Sequence, residues 1–336
     1  MARIKVAQFG LGPIGIESLK FAATHASLEI IGGVDIDPAK IGRSLDELTG
    51  VSTLRGARVF DSIAALLASG VRPDVILHTA SSSAAASLAQ VRPALEAGIS
   101  VASTCEELIF PVLRTPKETA EYDALCRQSG ARVVATGVNP GFVMDVLPIC
   151  LTGVNRRVDS LYVERVVNAS TRRQPLQAKI GSGMAPDDFR AKFRAGRAGH
   201  AGFQQSLGLL AHAMGWTLDS VEETCEPVLA PATITTQFFR VERGQTCGLH
   251  QRAIGQVGGE AKIILDLQMF LDAPNPHDTV VVKGDPALHL TLAGGVAGDS
   301  ATVAALVNIV PRLLAAQPGL RLMTELPLPS WVNPQR

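Results

Sequence analysis

The 336-residue chain has little of what several classes of function need. Its 31 basic and 31 acidic residues cancel, so no net field draws it to nucleic acid or to an anionic membrane surface. No apolar run approaches the length of a bilayer crossing, and Met1-Ala2-Arg3 leads straight into a strand pattern. A cytoplasmic chain with no signal peptide, no membrane partner and no nucleic-acid partner is therefore expected. The five cysteines (Cys105, Cys126, Cys150, Cys225, Cys247) are odd in number, scattered and without a C-x-x-C pair. They predict reduced thiols, no disulfide frame and no zinc site, and leave the sequon Asn168-Ala169-Ser170 idle. H-E-x-x-H, P-loop, G-x-S-x-G and EF-hand patterns are missing, as are internal repeats, which removes metal hydrolysis, phosphoryl transfer and the common serine hydrolase route. No metal is expected, and the chemistry falls to an organic cofactor. Aromatic residues make up only 4% of the chain, so the nearest candidates, Phe142 and Phe203, leave a pocket with mostly aliphatic walls.

What is present organises itself around Gly10-Leu11-Gly12-Pro13-Ile14-Gly15. The apolar run 4–9 predicts a strand before it, and 13–23 predicts a helix after it, with Pro13 in the first turn where a missing N–H costs little. The first glycine allows a tight turn, the second lets a pyrophosphate approach the backbone, and the third lets helix and strand pack closely. Exposed N–H groups and the helix dipole then face the phosphates. A second strand, 28–34, ends at Asp35, where an acid accepts hydrogen bonds from a ribose diol. Asp35 favours NAD(H). Lys40 and Arg43, in an irregular stretch 36–56, leave NADP(H) open, since they either reach a 2′-phosphate or are ordinary solvated charges.

Up to about residue 150, strands and helices alternate as a doubly wound parallel sheet requires: helix 62–69, strand 74–80, helix 84–97, strand 99–103, helix 118–129, strand 131–136. Loops at the carboxyl ends of such strands line the ligand crevice. Thr79, Ala80, Ser81 and Ser82 are thus candidates for the cofactor, the serines doubling as caps for the next helix. The strand 99–103 delivers Thr104-Cys105-Glu106-Glu107 to the same rim. One of two adjacent carboxylates there can hold an ammonium group and accept a proton; the plainer reading makes both surface charges at a helix start. After strand 131–136, Asn139-Pro140-Gly141-Phe142-Val143 forms a turn that predicts a hinge. Asn139 and Pro140 are assigned to the cofactor, and Phe142 and Val143 to the substrate pocket with Cys105.

Beyond residue 149 the pattern changes to long, β-branched strands: 160–167, 233–241, 245–257 and 261–271, joined by turns at Arg243-Gly244 and Gly258-Gly259. The predicted fold is α/β, an N-terminal Rossmann doubly wound parallel sheet (residues 1–148) with a second α+β domain on an open, mainly antiparallel sheet (149–295). Residues 296–336 return a helix, capped by Asp299-Ser300, to the first domain, with Thr302 one turn in facing the site. An open sheet of this kind commonly lies against a twin, which predicts a homodimer. Helices are expected over 185–194 and 201–216, with a glycine-rich loop between them. His200 and His212 are candidates for substrate contact, although a lone histidine is more often packed or capping. Arg165, Arg172 or Arg173 could hold a substrate carboxylate or serve as surface charges.

Together these stretches resemble the dihydrodipicolinate reductase-like group and, within it, the 2,4-diaminopentanoate dehydrogenases and native amine dehydrogenases. The shared segments are Gly10–Gly15, Val34-Asp35-Ile36-Asp37-Pro38, Ser103-Thr104-Cys105-Glu106-Glu107-Leu108, Gly137-Val138-Asn139-Pro140-Gly141-Phe142, Lys179-Ile180-Gly181-Ser182-Gly183 and Gly298-Asp299-Ser300-Ala301-Thr302, so the likeness covers nearly the whole chain. The resemblance implies NAD(P)-linked oxidative deamination of an amine and, in reverse, reductive amination of a ketone or aldehyde with ammonia. It places a catalytic glutamate in Cys105-Glu106-Glu107, and Glu106, first off the strand, is favoured. The paired histidines of dihydrodipicolinate reductases are replaced by Asn168-Ala169-Ser170-Thr171, which argues against that activity. An imine or oxo-acid reductase and a non-catalytic dinucleotide sensor are the other readings.

Overall fold

A computed structural model of the chain describes residues 3–335. Met1 and Ala2, which enter the expectation about a leader, lie outside the described residues. The chain divides into two compact units, one running to Phe142 and resuming at Ala297, the other spanning Val143–Val296.

In the first unit β1 (Ile4–Phe9), α1 (Pro13–Ala22), β2 (Leu28–Val34), α2 (Leu45–Thr49), β3 (Val59–Phe60), α3 (Ile63–Ala68), β4 (Val75–His78), α4 (Ala84–Glu96), β5 (Ser100–Ser103), α5 (Pro116–Ser129) and β6 (Arg132–Ala135) follow in order. Helix α1 buries Gly15, Ser18, Leu19 and Ala22, a stripe at helical spacing. The stretch 36–56 is not irregular throughout. Ser44 stands at the N-cap of α2, Gly50 ends it at φ +74°, and a 3-10 turn (Ser52–Leu54) follows. Leu45 and Leu54 thereby join Leu11, Leu19, Ala57 and Val59 in one buried cluster, so tertiary burial decides what weak local pattern concealed.

The second unit contains α6 (Val146–Thr152), β7 (Arg157–Asn168), α7 (Gln174–Lys179), α8 (Pro186–Arg194), α9 (Phe203–Met214), β8 (Ser220–Leu229), β9 (Ile234–Thr235), β10 (Arg240–Val241), β11 (Thr246–Val257), β12 (Glu260–Phe270), β13 (His277–Asp285) and β14 (Leu288–Ala293). Its six-stranded sheet has the order β14-β13-β7-β12-β11-β8. Every neighbouring pair is antiparallel except β7 and β12, which run parallel at its centre. The expected single strand over 233–241 is instead a short hairpin, β9 with β10. Thr236 Oγ1 accepts from the amides of Phe238 and Phe239, a side-chain turn that competes with a ladder. One sheet face buries Leu161, Val163, Leu249, Ala253, Ile263, Leu265 and Val280, with α9 against β11 and β12. The opposite face carries polar and charged side chains, Tyr162, Glu164, Asp266, Gln268, His250 and Arg252 among them.

The chain then returns to the first unit through α10 (Gly298–Asn308), α11 (Val310–Ala315) and β15 (Gly319–Arg321). Ala297 occupies the N-cap of α10, so Asp299 and Ser300 lie inside its first turn and do not cap it. Helix α10 packs on α1, and β15 pairs with β6. The completed parallel sheet has the order β15-β6-β5-β4-β1-β2-β3. Strand order reverses between β1 and β4, the switch point at which open α/β sheets bind ligands beyond the carboxyl ends of their strands.

Candidate active site

At the switch point, β1 ends in the glycine turn. Gly10 has φ +88°, and its amide donates to Val34 O. A Cβ on Gly15 would stand 1.9 Å from Gly10 O, so only glycine lets α1 close on the turn. Gly12 differs: its backbone is extended and a Cβ there would meet nothing within 4 Å. The chain's own packing does not require a glycine at that point, and the missing side chain leaves a cradle open at the uncapped N-terminus of α1. That arrangement fits a dinucleotide pyrophosphate.

Two side chains hold the turn from below. Thr79 Oγ1 donates to Gly10 O at 2.9 Å, and Gln8 Nε2 donates to Gly10 O at 3.1 Å and to Thr79 Oγ1 at 2.9 Å. The sequence reading did not assign Gln8; the available signal was an amide in an otherwise apolar buried strand. Asp35 accepts from the amides of Leu11 (2.6 Å) and Asp37 (2.9 Å) and from Lys40 Nζ (3.2 Å). Burial pushes its carboxyl up, but these bonds outweigh it and hold Asp35 below the ordinary aspartate value. The cation at Asp35 is therefore Lys40. Arg43, offered by the sequence alongside Lys40 for a 2′-phosphate, is half-exposed and pairs with Glu47 at 3.1 Å.

At the next strand end, Ala80 lies beneath Gly10, Ser81 Oγ accepts from Ser83 N at 3.1 Å, and Ser83 caps α4. Ser82 O accepts from Glu107 N at 3.3 Å. Glu107 Oε2 in turn accepts from Ala84 N at 2.9 Å, which commits that carboxylate to the first turn of α4. Residues Glu106–Ile109 form a 3-10 turn, not an extended loop. Among the described residues no hydrogen bond or ion pair engages the Glu106 carboxylate. Thr104 N donates to His78 O at 3.0 Å. Cys105 is completely buried with Ser87 beside its thiol, and burial pushes that thiol up to about 11; it backs the turn and does not line open space. Beyond β6, the Asn139-Pro140 bond is cis, and Gly141, at φ +118°, leaves no room for a Cβ against Gly137. Thr302 stands on the same turn, its Oγ1 3.9 Å from where a Gly137 Cβ would lie, and Phe142 closes the first unit.

The remaining candidates belong to the second unit. Arg165 is no open carboxylate receptor: its side chain is enclosed, its Nη1 contacts both oxygens of Asp278 at 2.8 Å, and its Nη2 donates to Val296 O at 2.6 Å. Burial works against both charges, lowering the arginine and raising the aspartate, and the pair survives through those bonds and one from Val296 N to Asp278 Oδ2 at 2.7 Å. His200 is held by Gln251, whose Oε1 accepts from its amide and whose Nε2 donates to its carbonyl, and Phe203 meets its ring edge-on. His212 lies in the last turn of α9, and Val143 is buried. Among the described residues no group of His, Cys, Asp and Glu is arranged to hold a metal ion, and no helix is long and apolar enough to cross a membrane.

A doubly wound unit with a glycine turn and an acid at its switch point, together with a second unit on an open sheet, has the architecture of the dinucleotide-binding dehydrogenase class. Within that class, residues 142–335 match the model of the 2,4-diaminopentanoate dehydrogenase C-terminal domain, more than half of the chain, and the chain belongs to that family. It is 29% identical to the 2,4-diaminopentanoate dehydrogenase of Acetoanaerobium sticklandii, over 98% of this chain and 95% of that protein. It is 26% identical to the amine dehydrogenase of Streptomyces virginiae, over 97% and 96% of the two chains. The solved structure of an amine dehydrogenase from Mycobacterium smegmatis superposes with a TM-score of 0.86 at 23% identity, over 99% of this chain and 98% of that one, which establishes the shared fold.

Proposed function

We propose that the protein is an NAD(P)H-dependent amine dehydrogenase that interconverts an amine with its ketone or aldehyde and ammonia. The observation that carries this reading is the pair of neighbouring glutamates at the end of β5: Glu107 is tied to α4, and Glu106 keeps an uncommitted carboxylate on the rim that carries the glycine turn. Family membership and relatives named for amine oxidation support it. When bound, the nicotinamide gives hydride to, or takes it from, the carbon that bears nitrogen. In the reductive direction Glu106 holds ammonium and takes its proton, which frees the lone pair to attack the carbonyl. Glu106 then returns that proton to the departing hydroxyl, releasing water and leaving an iminium carbon ready for hydride. In the oxidative direction it takes a proton from the water that attacks the iminium. A carboxylate suits this work because both partners, ammonium and iminium, are cationic.

Asp35 receives the ribose hydroxyls of NADH, and Lys40 makes NADPH acceptable by answering its extra phosphate. The chain pairs with a second copy through the polar face of the six-stranded sheet, where Asp266 meets His250 at 2.8 Å and Arg252 at 3.0 Å. Its five unpaired thiols suit the reducing cytoplasm. The test is oxidation of NADH and NADPH with a panel of aliphatic ketones, aldehydes and oxo acids, with and without ammonium at alkaline pH. Ammonium-dependent turnover supports the assignment. Equal turnover without ammonium would make the protein a carbonyl or imine reductase, and tight NADH binding with no turnover on any substrate would make it a sensor.

A further inference from the structure

Behind the Glu106 turn lies a run of hydrogen bonds that the chemistry above does not use. His78, the last residue of β4, is completely buried, with the Phe9 ring tilted against its own at 5.2 Å between centroids. Its Nε2 is 2.9 Å from Gln90 Oε1 on α4, and its Nδ1 is 2.9 Å from Ser103 Oγ at the end of β5. Ser103 Oγ accepts in turn from Cys105 N at 3.0 Å, and His78 O from Thr104 N at 3.0 Å. Burial lowers the imidazole's affinity for a proton and so favours its neutral form. In that form Nε2–H donates to Gln90 Oε1, which leaves Nδ1 as an acceptor and makes the Ser103 hydroxyl its donor. The serine lone pair then faces Cys105 N–H. Both amides that precede Glu106 are thus fastened to two adjacent strand ends, one through the His78 carbonyl and one through its ring.

We infer that His78 is a positioning residue for Glu106, acting through Ser103 and the Cys105 amide to fix where that carboxylate meets the substrate nitrogen. The inference rests on the assignment of Glu106 as the proton-handling group. A carboxylate on a turn loosened by about an ångström keeps its chemistry but loses its geometry, a loss of up to about a hundredfold in rate. The bonds that hold the glycine turn, from Thr79 and Gln8 to Gly10 O, are separate from these.

The experiment measures kcat, the KM for ammonium and NADH affinity by fluorescence in the purified full-length protein, for His78→Phe, His78→Gln, Ser103→Ala, the His78→Phe/Ser103→Ala double variant and Glu106→Gln. The expected result is a ten- to hundredfold fall in kcat for His78→Phe and for Ser103→Ala, NADH affinity within about twofold of the parent, and partial recovery in His78→Gln, which retains an acceptor. The double variant is expected to be no slower than the worse single one, because one chain of bonds is broken either way. Unchanged kcat in Ser103→Ala, additive losses in the double variant, or an equal fall in NADH affinity overturns the inference. Should His78→Phe fail to fold, Ser103→Ala and His78→Gln decide it. If Glu106→Gln retains parental turnover, the assignment of Glu106 fails and this inference falls with it; if Glu106→Gln is inactive and Ser103→Ala is not impaired, only the inference fails.

Discussion

The rim of the parallel sheet and the polar face of the second sheet treat charge in opposite ways. On the rim, side chains are held chiefly by backbone groups: Asp35 by the amides of Leu11 and Asp37, with Lys40 as its cation, Glu107 by Ala84 N, and Ser103 by Cys105 N. On the second sheet, charged groups satisfy one another: Asp266 with His250 and Arg252, and Glu164 with His277 at 3.1 Å. Backbone amides are fixed by the fold, so they orient a side chain without neutralising it. A pair of side chains neutralises both partners and leaves nothing for a ligand. The contrast accounts for the open carboxylate of Glu106 on the rim; on the buried face of the second sheet Arg165, closed by Asp278, extends the same side-chain pairing to enclosed groups.

Variants test that contrast directly. The largest effect is expected in the second unit, where Asp278→Ala strands the Arg165 guanidinium among buried groups and lowers stability by about 3–5 kcal/mol, measured by denaturant unfolding. A small loss would mean that the pair is not enclosed in solution. On the rim, Glu106→Gln should cut turnover by about 10²–10⁴-fold with NADH binding retained, while Glu107→Gln costs about 1 kcal/mol of stability and far less activity. The reverse pattern would exchange their roles. Lys40→Ala should weaken NADPH binding about tenfold or more and leave NADH within about twofold, read by fluorescence titration; equal losses would limit Lys40 to supporting Asp35. The smallest effect concerns His277. Contacts with the Asn275 carbonyl and with Glu164 raise it above its ordinary 6.5, so its stabilising contribution is complete below that value and is lost as pH climbs through the raised one. Thermal stability should therefore fall slightly as pH rises above about 6.5, and His277→Gln should abolish that slope.

Much of the first unit is legible in the chain because each of its signals is local. A strand, a glycine turn, a helix beginning with proline and an acid after the next strand all lie within residues 4–35, and each reports its own geometry. The same locality explains the readings that the structure changes. Arg43 and Lys40 are both cations near Asp35, and only the formation of α2 decides that Arg43 turns to Glu47. Arg165 lies in an alternating strand, but its partner Asp278 is 113 residues away, so nothing nearby in sequence marks it as enclosed. The parallel pairing of β7 with β12 is hidden for a related reason, because a parallel pair needs a long crossover and leaves no turn signature between its strands. The short strands β3 and β15 carry too few residues to show a period and exist because the sheet edges accept them.

By itself, the sequence determined the glycine turn after β1, the acid that follows β2, the Glu106-Glu107 pair and the change from alternating elements to long strands, since each depends on residues within a few turns of one another. Tertiary structure alone decided which glutamate is tied to a helix and which is open. It also decided that Lys40 and not Arg43 faces Asp35, and that Gln8, His78 and Ser103 buttress the rim. The Lys40 outcome depends on how the chain turns into α2, and the others on hydrogen bonds between segments far apart in the chain, which exist only once the sheet has brought them to within 3 Å or so of each other.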